Sequence, residues 1–274
     1  MKTHLASYIL RVMSSSNTGI EWTDKTWNPS TGCTKVSPGC RYCYAEALTQ
    51  RFTNSFPEGF DLTLHPERLD QPRRWRTPSR IFVNSMSDLF HKDVPISYLQ
   101  DVFAVMKETP WHIYQILTKR DQRLVELAPE LEWSDNIWIG VSVESQTYTK
   151  RIDALRKVPA KVRFLSCEPL LGPLELDLTG IHWVIVGGES GFKHRPIQPE
   201  WVQSILEQTQ KAEVPFFFKQ WGGRYSKAGG RIFNDRTWDQ MPIAWNEHLM
   251  QYKHKFSSKS KFMEIKQKFL LSTH

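Results

Sequence analysis

From residue 80 onward the chain repeats one unit: a short apolar run, a few polar residues, then a stretch with helical spacing. Residues 80–87, 112–117, 136–142, 162–166, 182–186 and 214–218 read as strands, because each is a compact run rich in β-branched and aromatic side chains. Residues 96–108, 120–127, 148–157 and 200–212 read as the helices between them, the first with an apolar face of Leu99, Val102, Phe103 and Met106. Strands joined through helices pair in parallel, since a parallel pair needs a crossover too long for a hairpin. Residues 20–27 alternate apolar and polar side chains and add a strand near the start, making about seven. An open doubly wound sheet and a (β/α) barrel both accommodate that count. No GxGxxG or Walker-type phosphate loop is present, which favours the barrel. The expectation is an α/β fold, a partial (β/α) TIM-like barrel of about six to seven parallel strands. At 274 residues and 40% hydrophobic composition the chain can bury a large core, in one α/β domain or two smaller ones.

Between the first two strands lies a loop with three of the four cysteines, Cys33, Cys40 and Cys43, spaced C-x6-C-x2-C. Gly32, Pro38 and Gly39 make this stretch turn instead of continuing as helix or strand. Clustered thiolates bind soft metals, iron–sulfur clusters in particular. A closed zinc or cluster site takes four protein ligands, so three leave either a missing ligand or an open position. A structural zinc would recruit a histidine such as His65 or His91, though neither follows the usual close second-pair spacing. Crowded thiols of this kind persist in a reducing compartment and do not form a disulfide framework.

Barrel chemistry sits at the C-terminal ends of the strands, and here those ends are polar throughout. They carry Asn84, Ser85, Ser87 and Asp88; Thr118, Lys119 and Arg120; Ser142, Glu144 and Ser145; Cys167 and Glu168; Gly187, Gly188, Glu189 and Ser190; and Lys219, Gln220 and Trp221. Six successive strands ending this way predict a ligand site on the rim. Cys167, beside Glu168, is a candidate hydrogen-atom donor or substrate contact, and Glu168 joins it as a candidate catalytic group.

The cysteine loop, with Tyr42 just before the last cysteine, resembles the cluster loop of radical S-adenosylmethionine (SAM) enzymes, although the first spacing is six residues where three is usual. Ser85-x-Ser87-Asp88, Thr118-Lys119, and Val141-Ser142-Val143 followed by Arg151-x3-Leu155 resemble the spore photoproduct lyase branch of that superfamily. Over residues 20–242 the chain is also similar to a phage-associated, three-cysteine radical-SAM-like family whose members mostly lack an assigned reaction. The carrying motifs are Ile20-Glu-Trp-Thr-Asp-x-Thr-Trp-Asn-Pro, Gly32-Cys-x-Lys-x-Ser-Pro-Gly-Cys-x-x-Cys-Tyr-Ala-Glu46, Ser166-Cys-Glu-Pro-Leu-Leu-Gly172, Val186-Gly-Gly-Glu-Ser190 and Arg236-Thr-Trp-Asp-x-Met-Pro242.

The resemblance implies a radical SAM type of partial barrel with a [4Fe-4S] cluster on Cys33, Cys40 and Cys43. It implies SAM on the remaining iron and its cleavage to methionine and a 5′-deoxyadenosyl radical. Lys119 would pair with the SAM carboxylate and Ser142 would bond its amino-acid or ribose part. Ser87 and Asp88 would lie near the methionine amino group, and Tyr42 and Tyr44 beside cluster or adenine. Glu144 and Glu189 would complete the cofactor contacts, with Glu189 meeting substrate or the SAM ribose. The glycine-rich segment usual after the second strand is replaced by Asn84-Ser85-Met86-Ser87. The implied partners are an electron donor such as flavodoxin or ferredoxin and an unidentified substrate, DNA, RNA or a nucleotide, for repair or base modification. The competing reading is a non-catalytic, zinc-stabilised nucleic-acid-binding phage accessory protein.

Net charge is +7, and the stretch from Gln251 onward supplies +5 of it through six lysines and one acid. That tail reads as a solvated amphipathic end helix, and its charge also suits steering toward nucleic acid. Residues 1–12 lack a secretory pattern, and Met13 would serve as an alternative start. No run approaches the roughly 18–20 apolar residues of a membrane span. The expectation is a cytoplasmic protein with an extension over 1–19, disordered in this reading, a barrel over 20–242 and a basic tail or helix over 243–274.

Overall fold

The structure, a computed structural model, describes residues 18–225 and 227–253. Most of the N-terminal extension and the tail beyond 253 therefore lie outside the described residues.

Seven strands form one all-parallel sheet: β1 (Lys25–Trp27), β4 (Arg80–Val83), β5 (Ile113–Thr118), β6 (Ile137–Ser142), β7 (Val162–Cys167), β8 (Trp183–Gly187) and β9 (Phe216–Gln220). Their spatial order is their chain order. A doubly wound sheet reverses direction at a switch point; this one never does, so the sheet curls one way into an open half-barrel. Helices α3 (Ile96–Glu108), α4 (Asp121–Leu127), α5 (Lys150–Arg156) and α6 (Pro199–Lys211) fill the β4–β5, β5–β6, β6–β7 and β8–β9 crossovers, while β7 and β8 are joined by an irregular connection. Before them come α1 (Tyr44–Arg51) and the single turn α2 (Gln71–Arg74). Two short strands, β2 (Ser30–Thr31) and β3 (Thr63–Leu64), pair antiparallel outside the sheet.

Strand parity sorts the core into two layers, because successive side chains point to opposite faces. Ile81, Val83, Tyr114, Ile116, Ile139, Val141, Leu165, Val184, Val186 and Phe218 share one cluster with Leu99, Val102, Phe103 and Met106 of α3 and Ile205 of α6. The alternate residues Phe82, Ile113, Trp138, Phe164, Trp183, Ile185 and Phe217 form a second cluster with Trp22 on the concave face. Trp22 lies 4.7 Å from Phe82 and 6.1 Å from Trp183, centroid to centroid, and Trp183 meets Phe217 edge-on at 6.0 Å. The half-barrel is therefore plugged by aromatic rings toward one end. Gly140 is needed for this plug: a Cβ there would fall 2.5 Å from the Phe164 ring.

Two expected strands are shorter than read. The first covers only Lys25–Trp27, since residues 21–22 turn and Asp24 bends before the strand begins. The second stops at Val83, because Asn84 takes a left-handed backbone (φ 60°) that ends a strand. A helix, α7 (Ile243–Lys253), follows residue 242, and the rest of the stretch read as a basic tail or helix over 243–274 lies outside the described residues. Helix α7 caps the plugged end, where His248 Nε2 lies 2.9 Å from the Trp111 carbonyl and Arg80 sits over the Trp245 ring. No helix among the described residues is long and apolar enough to cross a membrane.

Candidate metal centre and ligand-binding rim

The cysteine loop is fastened to the sheet at its base. Ser30 Oγ accepts a bond from Asn84 Nδ2 (2.9 Å) and lies 3.0 Å from Ser87 Oγ, which donates to the Ser30 carbonyl (2.9 Å). The Gly32 N–H donates to the Met86 carbonyl (3.0 Å). Gly32 has φ 81°, and a Cβ on it would lie 2.0 Å from the Asp61 carbonyl oxygen, so only glycine fits where the loop leaves β2. Cys33 follows directly, Cys40 ends a single 3-10 turn (Pro38–Cys40), and Cys43 is the N-cap of α1. All three thiols are free and partly exposed.

Charged side chains from other strand ends hold the loop from above and below. Arg120 Nη2 donates to Cys33 Sγ (3.5 Å), to the Thr34 carbonyl (3.1 Å) and to Thr34 Oγ1 (2.9 Å). Glu189, almost fully buried, takes bonds from the Arg195 backbone N–H and Nε, both at 2.9 Å. The same guanidinium donates through Nη2 to the Pro38 carbonyl (3.0 Å) and lies 5.4 Å from the Tyr42 ring centroid. Glu144, 0% exposed, lies beneath Gly39, where a Cβ would come within 3.1 Å of its carboxylate. Its Oε2 accepts from Arg151 Nη1 at 2.8 Å, and its Oε1 has no partner among the described residues.

The residues expected on the rim thus divide. Ser87, Asp88 and Glu189 spend their bonding on the chain itself, whereas Glu144 is held through Oε2 alone and keeps Oε1 unpartnered among the described residues. Asp88 accepts from the Phe90 N–H (3.0 Å), Thr118 Oγ1 (2.7 Å) and the Lys119 N–H (3.0 Å). Lys119 and Ser142 keep capacity in hand. They come from adjacent strands, meet at Nζ–Oγ 3.0 Å and make no other side-chain bond among the described residues. Glu168 pairs with Lys219 at 2.5 Å on the last strand, above Gly187. Tyr42 lies between Arg41 (5.3 Å) and Arg195. The expectation for Cys167 is corrected. It is 0% exposed within the helix-facing cluster, because parity gives the concave face to Phe164 and Ser166 and turns Cys167 outward. Burial, with some help from the Glu144 charge, pushes its thiol pKa far up and keeps it as S–H; it is the helix-facing burial that separates this thiol from the rim.

Sequence reasoning missed Arg195 as the cation that occupies Glu189, and Arg151 as the partner of Glu144. A signal existed: each carboxylate is followed by an arginine six or seven residues on, within reach of a short loop.

The chemistry of the donor set fits an iron–sulfur cluster. Three free thiols share one loop, beside the cations of Arg120 and Lys119, which oppose the negative charge of thiolates. Among the described residues, no three Cys, His, Asp or Glu side chains converge closely enough to hold a bare metal ion. Neither histidine considered for zinc is available. His65 engages Thr31 Oγ1 (2.8 Å) and Glu67, while His91 engages Thr34 Oγ1 (2.9 Å) and the Asp93 N–H (3.3 Å). Burial first, then the nearby Asp88 carboxylate, raises the Cys33 pKa to about 11 against the opposing pull of Arg120. Burial likewise raises Cys43, opposed by the N–H groups of Glu46 and Ala45 at the start of α1.

Fold and site together define a parallel α/β half-barrel with a three-thiol loop fastened across its open end. Residues 17–242 match the family described as "Protein of unknown function (DUF5131)", and the chain belongs to that family. Among solved structures the fold is similar to a mutant spore photoproduct lyase with bound AdoMet and dinucleoside spore photoproduct. The TM-score is 0.47 at 13% identity, over 73% of this chain and 64% of that one. A spore photoproduct lyase complexed with dinucleoside spore photoproduct gives the same values. The chain therefore spans less than two thirds of the solved proteins it matches. No curated protein matches it.

Proposed function

We propose that the protein is a radical SAM enzyme acting on nucleic acid or a nucleotide. The observation that carries this reading is the placement, at one end of the half-barrel, of three free thiols beside an inward-facing Lys119–Ser142 pair with unused bonding capacity. Cys33, Cys40 and Cys43 would hold a [4Fe-4S] cluster. The chemistry a cluster held there would supply is one-electron reductive cleavage of SAM. His65 and His91, the two histidines considered as a fourth ligand, are hydrogen-bonded to Thr31 and Thr34.

The protein's own part is positioning and exclusion. Lys119 Nζ has two donors beyond the one on Ser142 and suits a carboxylate. Ser142 Oγ suits the amino-acid or ribose part of SAM. The aromatic plug of Trp22, Phe82, Phe164, Trp183 and Phe217 shuts the other end against water. Glu168, with Lys219 as its counter-ion, would face the substrate across the rim. Electrons would come from a flavodoxin or ferredoxin.

The test is anaerobic reconstitution with iron and sulfide, followed by SAM equilibrium dialysis and an assay for 5′-deoxyadenosine after dithionite is added. The expected result is close to four irons per chain, lost in Cys40→Ala. SAM retention should fall at least about tenfold in Lys119→Ala and Ser142→Ala, the loss of a charge-assisted bond. A colourless protein with one zinc and no affinity for SAM would refute the proposal.

A further inference from the structure

The loops after β8 and β9 form a lip beside the cysteine loop, and apart from Glu189 and Arg195 its side chains have no role above. They are tied together by the Ser190–Gly223 bridge, with the Gly191 N–H on the Gly223 carbonyl (2.9 Å) and the Gly223 N–H on the Glu189 carbonyl (3.0 Å). Arg195, in the first loop, reaches the Pro38 carbonyl, so lip and cysteine loop are in direct contact.

The lip's composition is unusual for an ordinary solvated loop. Residues 191–195 and 222–232 contain five Lys or Arg and no acid. Three of these cations are neutralised, Arg195 by Glu189, Lys227 by Glu21 and Arg231 by Asp239. Lys193 and Arg224 are exposed and form no ion pair among the described residues. Arg41, exposed on the cysteine loop, likewise forms none. Among these cations stand two large rings facing water, Phe192 at 76% and Tyr225 at 69% exposure. Phe192 carries the Arg224 guanidinium 5.1 Å from its centroid, as Tyr42 carries Arg41 at 5.3 Å.

Exposed ring faces interleaved with uncompensated cations match one class of ligand closely. Unpaired bases stack on aromatic and guanidinium planes while the cations meet the phosphates. A duplex hides its base faces, and a protein partner would be met by a more continuous apolar patch. We propose that this lip binds a single strand of nucleic acid, with Phe192 and Tyr225 as stacking platforms and Lys193, Arg224 and Arg41 on its phosphates. The inference rests on the proposed function only in that the held strand would be presented to the concave site.

The experiment uses the full chain and a fluorescein-labelled single strand of about 15 nucleotides, as DNA and as RNA, read by anisotropy across a salt series. Phe192→Ala should weaken binding about tenfold, the loss of one stacked base, and Phe192→Trp should restore it. Lys193→Ala with Arg224→Ala should reduce the logarithmic salt slope by roughly 1.4. Wild-type binding that these variants leave unchanged would place the strand elsewhere, on the lysines of residues 251–274 for instance, and overturn the inference. So would no binding at all, or self-association of the wild type that Phe192→Ala abolishes, which would make the lip a protein interface. SAM dialysis on the same preparations separates the two readings. Lip-dependent strand binding by a chain indifferent to SAM would retire the enzyme and keep the lip. SAM binding with strand affinity unchanged in the variants would do the reverse.

Discussion

Glu189 was expected to meet a ligand, and the structure gives it to Arg195; replacing it with glutamine decides between the two roles. The carboxylate is 6% exposed and receives bonds from the Arg195 backbone and guanidinium, and that guanidinium holds the Pro38 carbonyl in the turn ending at Cys40. Glu189→Gln keeps the shape, removes the charge and sets an NH₂ against N–H donors. A hydrogen bond to a charged group contributes about 1.5–3 kcal/mol. The Arg195 side chain is 27% exposed, so water recovers part of the loss, and the cost falls in the lower half of that range. For a chain of this size about 2 kcal/mol lowers Tm by roughly 4–8 °C. The loosened clamp should also raise amide exchange across residues 37–44 well before global unfolding. Calorimetry and exchange mass spectrometry on the metal-free chain measure both. An unchanged Tm and unchanged exchange, with SAM retention lost, would refute the clamp and return Glu189 to the cofactor.

Two further outcomes follow from the packing and the thiols. Gly140→Ala puts a methyl group 2.5 Å from the Phe164 ring inside the aromatic plug, and should lower the urea midpoint by about 1–3 kcal/mol of stability at constant slope. Cys33, with its pKa raised to about 11, should alkylate about ten times faster per pH unit up to pH 10 in residue-resolved labelling of the metal-free chain, where an ordinary thiol levels off near about 8.5. The sign of the linked stability is fixed: the unfolded thiol ionises first, so stability is lost as pH rises from about 8.5 toward 11. A labelling plateau at pH 9 would contradict the burial argument.

Much of this fold is legible in the sequence because two periods carry it. The apolar face read for residues 96–108, Leu99, Val102, Phe103 and Met106, is the buried face of α3. Parity also carries the concave layer: Phe82 and Trp138 occupy the phase opposite the Ile and Val positions of their strands, and Phe164, Trp183 and Phe217 alternate with Leu165, Val184 and Phe218 of the helix-facing cluster. Applied to β7, the same parity turns Cys167 outward, a conclusion available from the sequence that its neighbour Glu168 obscured. What periodicity cannot carry is partner choice. Asp88 is committed to Thr118 and Lys119, thirty residues on, and nothing local to Asp88 records that. Strand-end polarity therefore locates the rim without telling which polar atoms remain unspent.

That distinction can be tested on one pair of adjacent residues. Asp88 and Lys119 were both expected to hold SAM, and the Lys119 backbone N–H donates to Asp88 while its Nζ reaches Ser142. All the short bonds of Asp88 are internal, three of them at 2.7–3.0 Å, and the Arg120 Nε that steadies the arm on Cys33 lies 3.7 Å from it. Asp88→Asn would keep one carbonyl acceptor and turn an NH₂ toward the Lys119 N–H, leaving buried donors unsatisfied at a cost of about 2–3 kcal/mol. Lys119→Met removes only Nζ from a partly exposed position and one bond to a hydroxyl, a change of less than about 1 kcal/mol. If bonding capacity decides role, Asp88→Asn lowers the urea midpoint and alters Cys33 labelling through Arg120, while Lys119→Met keeps the midpoint and loses SAM. If both variants instead kept the wild-type midpoint and both lost SAM, the carboxylate would have left its internal partners for the ligand, and the division of the rim drawn here would fail.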